Sequence, residues 1–307
     1  MALEDASTIG PAEAALLQRF GATPEALLGA GGESRVFAVD QRTVLRIFHP
    51  SPVGRDRAVA DLLARWRGIE LGFQLPDVLD QGREANQSWT LEHRIPGTSL
   101  ADFLPTATPL ERRQVLREVL AAVGRLQELP LPADHPGGHG RILAPDRAGF
   151  ASLHELLQHQ MDLGVALGGN RLAELVDGYP AQRAALSEQL RRRRVEPAFV
   201  HGDICPGNVM VHQGRVSGII DLSVHALAAD PVLDLVAVGC FLDGYPDAPA
   251  DAAWLDSLLC EQLGAEAWLV DAYRRFYACY YSMDPAIHAW CAAQFSQSAA
   301  TPRRVPK

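Results

Sequence analysis

The stretch His201-Gly202-Asp203-Ile204-Cys205-Pro206-Gly207-Asn208, followed by Gly218-Ile219-Ile220-Asp221-Leu222, decides the reading of this chain. A carboxylate, an amide five positions on, and a second carboxylate thirteen residues after the amide make a compact set of oxygen donors. Asn208 and Asp221 suit magnesium, a hard cation that takes oxygen ligands and keeps substrate phosphates in its shell. Asp203 remains as a base for a hydroxyl nucleophile. Positioning and charge neutralisation are most of what phosphoryl transfer asks of a protein. A lone H-x-D would carry little weight; the three residues at this spacing carry much more.

The flanking sequence supports a loop held between strands. Ala198-Phe199-Val200 reads as a short buried strand running into it. Val209-Met210-Val211-His212 and Val216-Ser217-Gly218-Ile219-Ile220 read as a hairpin around Gln213-Gly214-Arg215. Further upstream, Leu28-Gly29-Ala30-Gly31-Gly32-Glu33-Ser34 is a glycine-rich turn leading into the strand Arg35 to Val39. The chain then turns back into Val44-Leu45-Arg46-Ile47-Phe48. Glycines in such a turn let backbone approach a phosphate without Cβ atoms in the way. Gly29, Gly31, Gly32 and Ser34 are therefore candidate nucleotide contacts. Arg46 alternates with Leu45 and Ile47, so it faces away from the side that they bury.

Residues 11 to 20 and Ala58 to Trp66 have helical patterns, and 77–82 and 88–93 read as strands before Ile95-Pro96-Gly97 breaks the pattern. From Leu110 onward the chain turns helical: Leu110 to Leu129, Phe150 to Leu163, Arg171 to Val176, Ala181 to Val195, and Trp254 to Phe295. The expectation is an α+β, two-lobed fold. Residues 1–95 would form a strand-rich nucleotide lobe and 96–307 a mainly helical catalytic and substrate-binding lobe.

Composition sets the outer bounds. The 307 residues are 48% hydrophobic and 21% charged, as in a soluble globular enzyme. A formal charge of -9 argues against nucleic acid as a partner. The cysteines, Cys205, Cys240, Cys260, Cys279 and Cys291, form no C-x-x-C pair, so neither zinc nor a disulfide framework is indicated. No apolar run follows a basic start, and Leu235 to Leu242 is far too short to span a bilayer. The expected location is the cytoplasm, with no membrane partner.

From the Gly29 loop through Asp230-Pro231-Val232-Leu233-Asp234-Leu235, the chain resembles the aminoglycoside phosphotransferase-like family, relatives of the protein kinases that phosphorylate small molecules. The resemblance implies Asp203 as catalytic base, Asn208 and Asp221 as Mg2+ ligands, and Gly29, Gly31 and Gly32 as the phosphate-covering loop. It implies ATP or GTP as co-substrate, with a hinge from Glu92 to Gly97 offering groups to the base; Glu92 and Arg94 are the candidate contacts there. Asp234 stands where the family has a carboxylate that braces the catalytic loop. Arg46 stands where the family commonly has Lys, a change that is not conservative because Arg is longer and planar. The usual helix partner is Glu, but none occurs between Arg55 and Gly68, which leaves Asp56 and Asp61 as the available carboxylates, with Asp56, on the face of Ala60 and Leu63, preferred.

The acceptor is a small-molecule hydroxyl compound, with aminoglycoside, macrolide, amino alcohol and sugar all open. Between Val236 and Ala300 eight acids (Asp243, Asp247, Asp251, Asp256, Glu261, Glu266, Asp271, Asp284) face two bases, Arg274 and Arg275. That balance reads either as attraction for a cationic acceptor or as a solvated acidic surface. The aromatic residues Trp254, Trp268, Tyr273, Phe276, Tyr277, Tyr280, Tyr281 and Trp290 read as a cation cage or, at helical spacing, as core. His135 and His139 fall in a Pro/Gly-rich stretch expected to be a solvated loop, and Arg191 to Arg194 is expected to be a solvated helix end. A nucleotide-binding pseudokinase is the alternative to a kinase. Metal-dependent phosphohydrolysis through His201 and Asp203 is weaker, for want of a second His/Asp pair at ligand spacing.

Overall fold

The computed structural model describes residues 9–49, 55–84, 87–133, 135, 137–143, 149–242 and 244–296. In chain order it runs α1 (Pro11–Phe20), β1 (Leu27–Ala30), β2 (Ser34–Ala38), β3 (Thr43–Phe48), α2 (Arg55–Trp66), β4 (Val78–Glu84) and β5 (Gln87–His93). It continues with β6 (Thr98–Ser99), α3 (Leu100–Phe103), α4 (Pro109–Leu126), β7 (Gly140–Arg141), α5 (Leu153–Leu167), α6 (Arg171–Leu175) and α7 (Tyr179–Arg191). The remainder is β8 (Ala198–Val200), β9 (Val209–His212), β10 (Arg215–Ile219), β11 (Leu227–Ala229), α8 (Val232–Cys240), α9 (Ala248–Leu263), α10 (Trp268–Tyr280) and α11 (His288–Ser296). These elements divide between two compact units, and the division is not a single cut in the chain. Residues 207–225, carrying Asn208 and Asp221, group with the N-terminal 122 residues, whereas Asp203 belongs to the second unit.

The first unit is built on an antiparallel sheet in the order β1-β2-β3-β5-β4. Period-2 alternation explains its core. Phe37, Leu45 and Leu91 are register partners across β2, β3 and β5, and Ile47 lies opposite Trp89. With Leu16 and Leu17 of α1, the fully buried members of this set form one apolar cluster. Pro at the start of α1 and the left-handed Gly21 after it (φ 69°) bound that helix as expected of a Pro-start, Gly-stop pattern. The opposite face of β3 carries Arg46, so its side chain cannot join the core. A second small sheet, β10-β9-β6, carries the hairpin around Gln213-Gly214.

In the second unit a short antiparallel sheet, β7-β11-β8, leads into the Asp203 loop, and helices make up the rest. The central helix is α10, in which Tyr273, Phe276, Tyr277, Ala278, Cys279 and Tyr280 are all buried. Gly164 lets α5 lie directly on it: a Cβ there would sit 2.3 Å from the carbonyl oxygens of Cys279 and Tyr280. Four of the eight proposed cage aromatics, Tyr273, Phe276, Tyr277 and Tyr280, are therefore core. Trp254, Trp268, Tyr281 and Trp290 are the ones left half-buried.

Two loop expectations are corrected here. His139 is buried rather than solvated, since its backbone N–H and C=O both pair with Phe150, and Gly140–Arg141 continues as a strand beside β11. Burial lowers the His139 pKa, against the pull of Asp230 and Glu196. Arg193 is not a solvated helix end either. Its Nε lies 2.5 Å from the fully buried Asp230, which also accepts a 2.6 Å hydrogen bond from the Tyr273 hydroxyl, and it pairs with Glu266 as well. A buried carboxylate needs such a partner. No helix among the described residues is long and apolar enough to cross a membrane.

Candidate active site

In the second unit the chain leaves β8 and immediately turns. Gly202 takes φ 77°, a left-handed conformation open to glycine at little cost, and its N–H and that of His201 converge on one carboxylate. Asp234 on α8 accepts from His201 N at 2.6 Å and from Gly202 N at 3.0 Å. Asp234 is fully buried, and burial pushes its pKa up to about 7; the two N–H donors pull it down and nearby Asp203 adds to the rise. The brace expected of Asp234 is thus observed as two backbone hydrogen bonds. They fix the loop one residue before Asp203, whose own carbonyl accepts from Cys205 N at 3.1 Å. His201 is buried at the root of the loop.

The charge of Asp203 is felt by two tyrosines at the end of α10. Burial raises the pKa of both Tyr280 and Tyr281, and Asp203 raises them further; Arg141, hydrogen-bonded to Tyr280, acts in the opposite sense. Tyr281 packs edge-on against Phe241 with ring centroids 5.1 Å apart, and Phe241 is 6.1 Å from Trp290. Sequence reasoning named these tyrosines only as members of an aromatic set, and it missed Arg141 altogether. No local signal marks Arg141, because strand pairing with β11 places it.

In the first unit Asn208 ends a short 3-10 turn, Pro206–Asn208, and is buried. Its carbonyl accepts from Ile220 N at 2.9 Å, which ties Asn208 to the residue just before Asp221. Asp221 has φ 64°, an unusual conformation for a residue other than glycine, of the kind concentrated at functional sites. Its carboxylate receives Arg46 Nη1 at 2.7 Å. Arg46 also lies 3.5 Å from Ser34 Oγ, and its Nε lies 3.4 Å from Glu92 Oε1, close enough for an ion pair but without an aligned hydrogen bond. Burial works against the Arg46 charge, but Glu92 and Asp221 outweigh it and raise its pKa. Arg46, Thr90, Glu92 and Asp221 line one narrow slot with Val78 and Leu222.

The arrangement gathers Ser34, Arg46, Glu92 and Asp221 and leaves other candidates apart. Arg94 is exposed and lines a different hollow, of about 530 Å³, with Trp66, Phe73, Pro76 and His93. Within the hinge, His93 N–H donates to Asp77 and Arg94 N–H to Arg42, so both groups serve the sheet. Gly29, Gly31 and Gly32 are exposed, with open space where a Cβ would stand. Of the two helix carboxylates expected as partners of Arg46, Asp61 instead pairs with Arg57 at 3.8 Å on the outside of α2, and the preferred one, Asp56, lies outside the residues whose side chains are described. A metal fits the donor set only in a sparse way. Among the described residues no group of three or more His, Cys, Asp or Glu could hold an ion; Asn208 and Asp221 carry oxygen donors of the type that magnesium takes.

The acidic helices of the second unit are less charged than their sequence suggests. Asp256 pairs with Arg274, Asp271 with Arg275 and Glu266 with Arg193, while Asp251 is buried beneath the Tyr245 hydroxyl. Asp243 lies outside the described residues.

A family model described as the phosphotransferase enzyme family (APH) matches residues 26–274. The chain belongs to that family. It is 28% identical over 157 residues to an aminoglycoside 3'-phosphotransferase of Streptomyces fradiae, covering 49% of this chain and 52% of that protein. A second, from Streptomyces ribosidificus, is 27% identical over 163 residues, 51% of this chain and 55% of the relative. The chain thus spans about half the length of the curated relatives it matches. A thermostable mutant of aminoglycoside phosphotransferase APH(4)-Ia, solved in a ternary complex with ADP and hygromycin B, shares the fold with a TM-score of 0.69. That match is 20% identical and covers 94% of this chain and 99% of the other. The α+β, protein-kinase-like fold class expected from the motifs is borne out.

Proposed function

We propose that this family member transfers the terminal phosphoryl group of ATP to a hydroxyl of an aminoglycoside. The observation that carries the reading is the loop in which two backbone N–H groups close on buried Asp234 and hold Asp203 at the turn. Asp203 accepts a hydrogen bond from the acceptor hydroxyl, orients it toward the phosphorus and takes its proton. Arg46 contacts the nucleotide phosphates, the glycine turn of residues 29–32 covers them, and Asn208 and Asp221 are the residues that would hold Mg2+. Magnesium, when bound, supplies neutralisation of phosphate charge. Support for ATP and for an aminoglycoside comes from the ADP and hygromycin B of the APH(4)-Ia complex and from the two Streptomyces relatives.

A coupled assay of ADP release with a panel of aminoglycosides tests the reading. Release that depends on both the acceptor and magnesium is the expected result. Nucleotide binding without release on any aminoglycoside, macrolide, amino alcohol or sugar would make the chain a pseudokinase. Turnover with GTP alone, or confined to another acceptor class, would replace the corresponding half of the proposal.

A further inference from the structure

We propose that Glu92, on a strand, is the residue that positions Arg46 for the nucleotide phosphates, in place of Asp61 on helix α2. The inference rests on the phosphotransfer reading above and deepens its nucleotide side. The strands β3 and β5 are antiparallel neighbours in which Arg46 pairs with Thr90 and Val44 with Glu92. Glu92 is therefore two residues from the partner of Arg46, on the same face, at the diagonal distance that a long side chain spans. The geometry follows: Arg46 Nε lies 3.4 Å from Glu92 Oε1, with both side chains about one-tenth exposed.

Thr90 completes the arrangement. Its hydroxyl donates to Glu92 Oε1 at 2.6 Å, and both residues are buried. Glu92 is thus oriented by the residue that stands directly across from Arg46. A buried carboxylate and guanidinium held in this way restrict the long Arg side chain, which otherwise carries substantial rotamer entropy. The helix offers no competitor on the described residues, since Asp61 turns to Arg57 and is 61% exposed.

Because the carboxylate comes from the sheet, the orientation of Arg46 is set once β3 and β5 pair, and movement of α2 has little leverage on it. Arg46 keeps its second contact, to Asp221, by Nη1. One guanidinium thereby connects the sheet to the hairpin that carries Asn208 and Asp221. This makes Glu92 a positioning residue and removes it from the set of direct contacts to the nucleotide base.

The test measures binding of magnesium with a non-hydrolysable ATP analogue by calorimetry, alongside Tm and steady-state kinetics. Glu92→Gln keeps the size and removes the charge; losing one charged partner is expected to weaken nucleotide binding about 10-fold or more. KM for ATP should rise with it while KM for the acceptor stays unchanged. Asp61→Asn should behave as wild type. Thr90→Val, which leaves every charge in place, should give a weaker loss of about 3-fold; it carries the test if Glu92→Gln does not fold. A Glu92→Gln protein of wild-type nucleotide affinity, or one with lowered Tm and unchanged affinity, overturns the assignment while leaving the phosphotransfer reading intact. Failure of the wild-type chain to bind any nucleotide overturns both.

Discussion

The Asp203 loop of the second unit and the Arg46 network of the first are held in different ways. Around Asp203, backbone is the structural material: two N–H groups close on a carboxylate that is completely buried. Around Arg46, the material is side-chain charge: one guanidinium reaches Glu92, Asp221 and the Ser34 hydroxyl, and the Asp221 side chain is 34% exposed. Backbone hydrogen bonds in a dry site are rigid and tolerate little change. The Asp221 end of the network is the adjustable one, since its carboxylate is partly exposed and water and ions can take its place. On the proposed roles, a residue that orients a reacting hydroxyl gains from the first setting, and one that meets an incoming phosphate gains from the second.

The sharpest way to break this contrast is Asp203→Asn. Rate should fall by about 10²- to 10⁴-fold, the usual worth of a general base, with calorimetric nucleotide affinity unchanged. A variant that keeps more than a tenth of the rate, or that loses nucleotide affinity in step, would show that Asp203 is not confined to the acceptor side. Arg46→Ala should do the reverse, weakening nucleotide binding by roughly 10- to 100-fold, in line with loss of a charge-assisted contact. Arg46→Lys should recover part of that loss, because it restores the charge without the planar fork. If Arg46→Ala binds nucleotide like wild type, the charge network is only structural.

The smallest effect concerns pH. Asp234 titrates near 3.8 when unfolded and at about 7 in the fold, so the native state holds an extra proton between those values. Its contribution to stability is fully present below the lower value and is lost as pH rises through the upper one. The Tm of wild type relative to Asp234→Asn should therefore decline across that window and level off above it. A flat difference would mean that the two N–H donors keep Asp234 ionised throughout.

Much of the fold and part of the site were legible because they are encoded over short distances. The alternation of Leu45, Arg46 and Ile47 determined which way Arg46 points, since successive strand residues face opposite sides whatever packs on them. The spacing of Asp203, Asn208 and Asp221 identified a loop followed by a hairpin, and Asp234 was expected to brace that loop. The partner of Arg46 is not legible: the family pattern points to a carboxylate on helix α2, whereas the structure supplies Glu92, 46 positions along the chain, through the register of β3 with β5. His139 and Arg193 were misread for a related reason. A Pro/Gly-rich stretch and a run of four arginines both look solvated, and only a bridge to Phe150 and a buried Asp230 show that they are not.

By itself, then, the sequence determined the chemistry on offer: a base, an amide and a carboxylate at fixed intervals, a glycine turn, and a strand arginine turned from the core. These are properties of local spacing and of backbone periods. Which charges meet was decided by the tertiary structure alone. Glu92 instead of Asp61 beside Arg46, Asp230 beneath Arg193, and the pairing of Asp256 and Asp271 with Arg274 and Arg275 within an apparently acidic face all depend on strand register and helix packing. Ion pairs form between side chains within a few ångströms of one another, and that proximity arises only after the hydrophobic faces have chosen their partners.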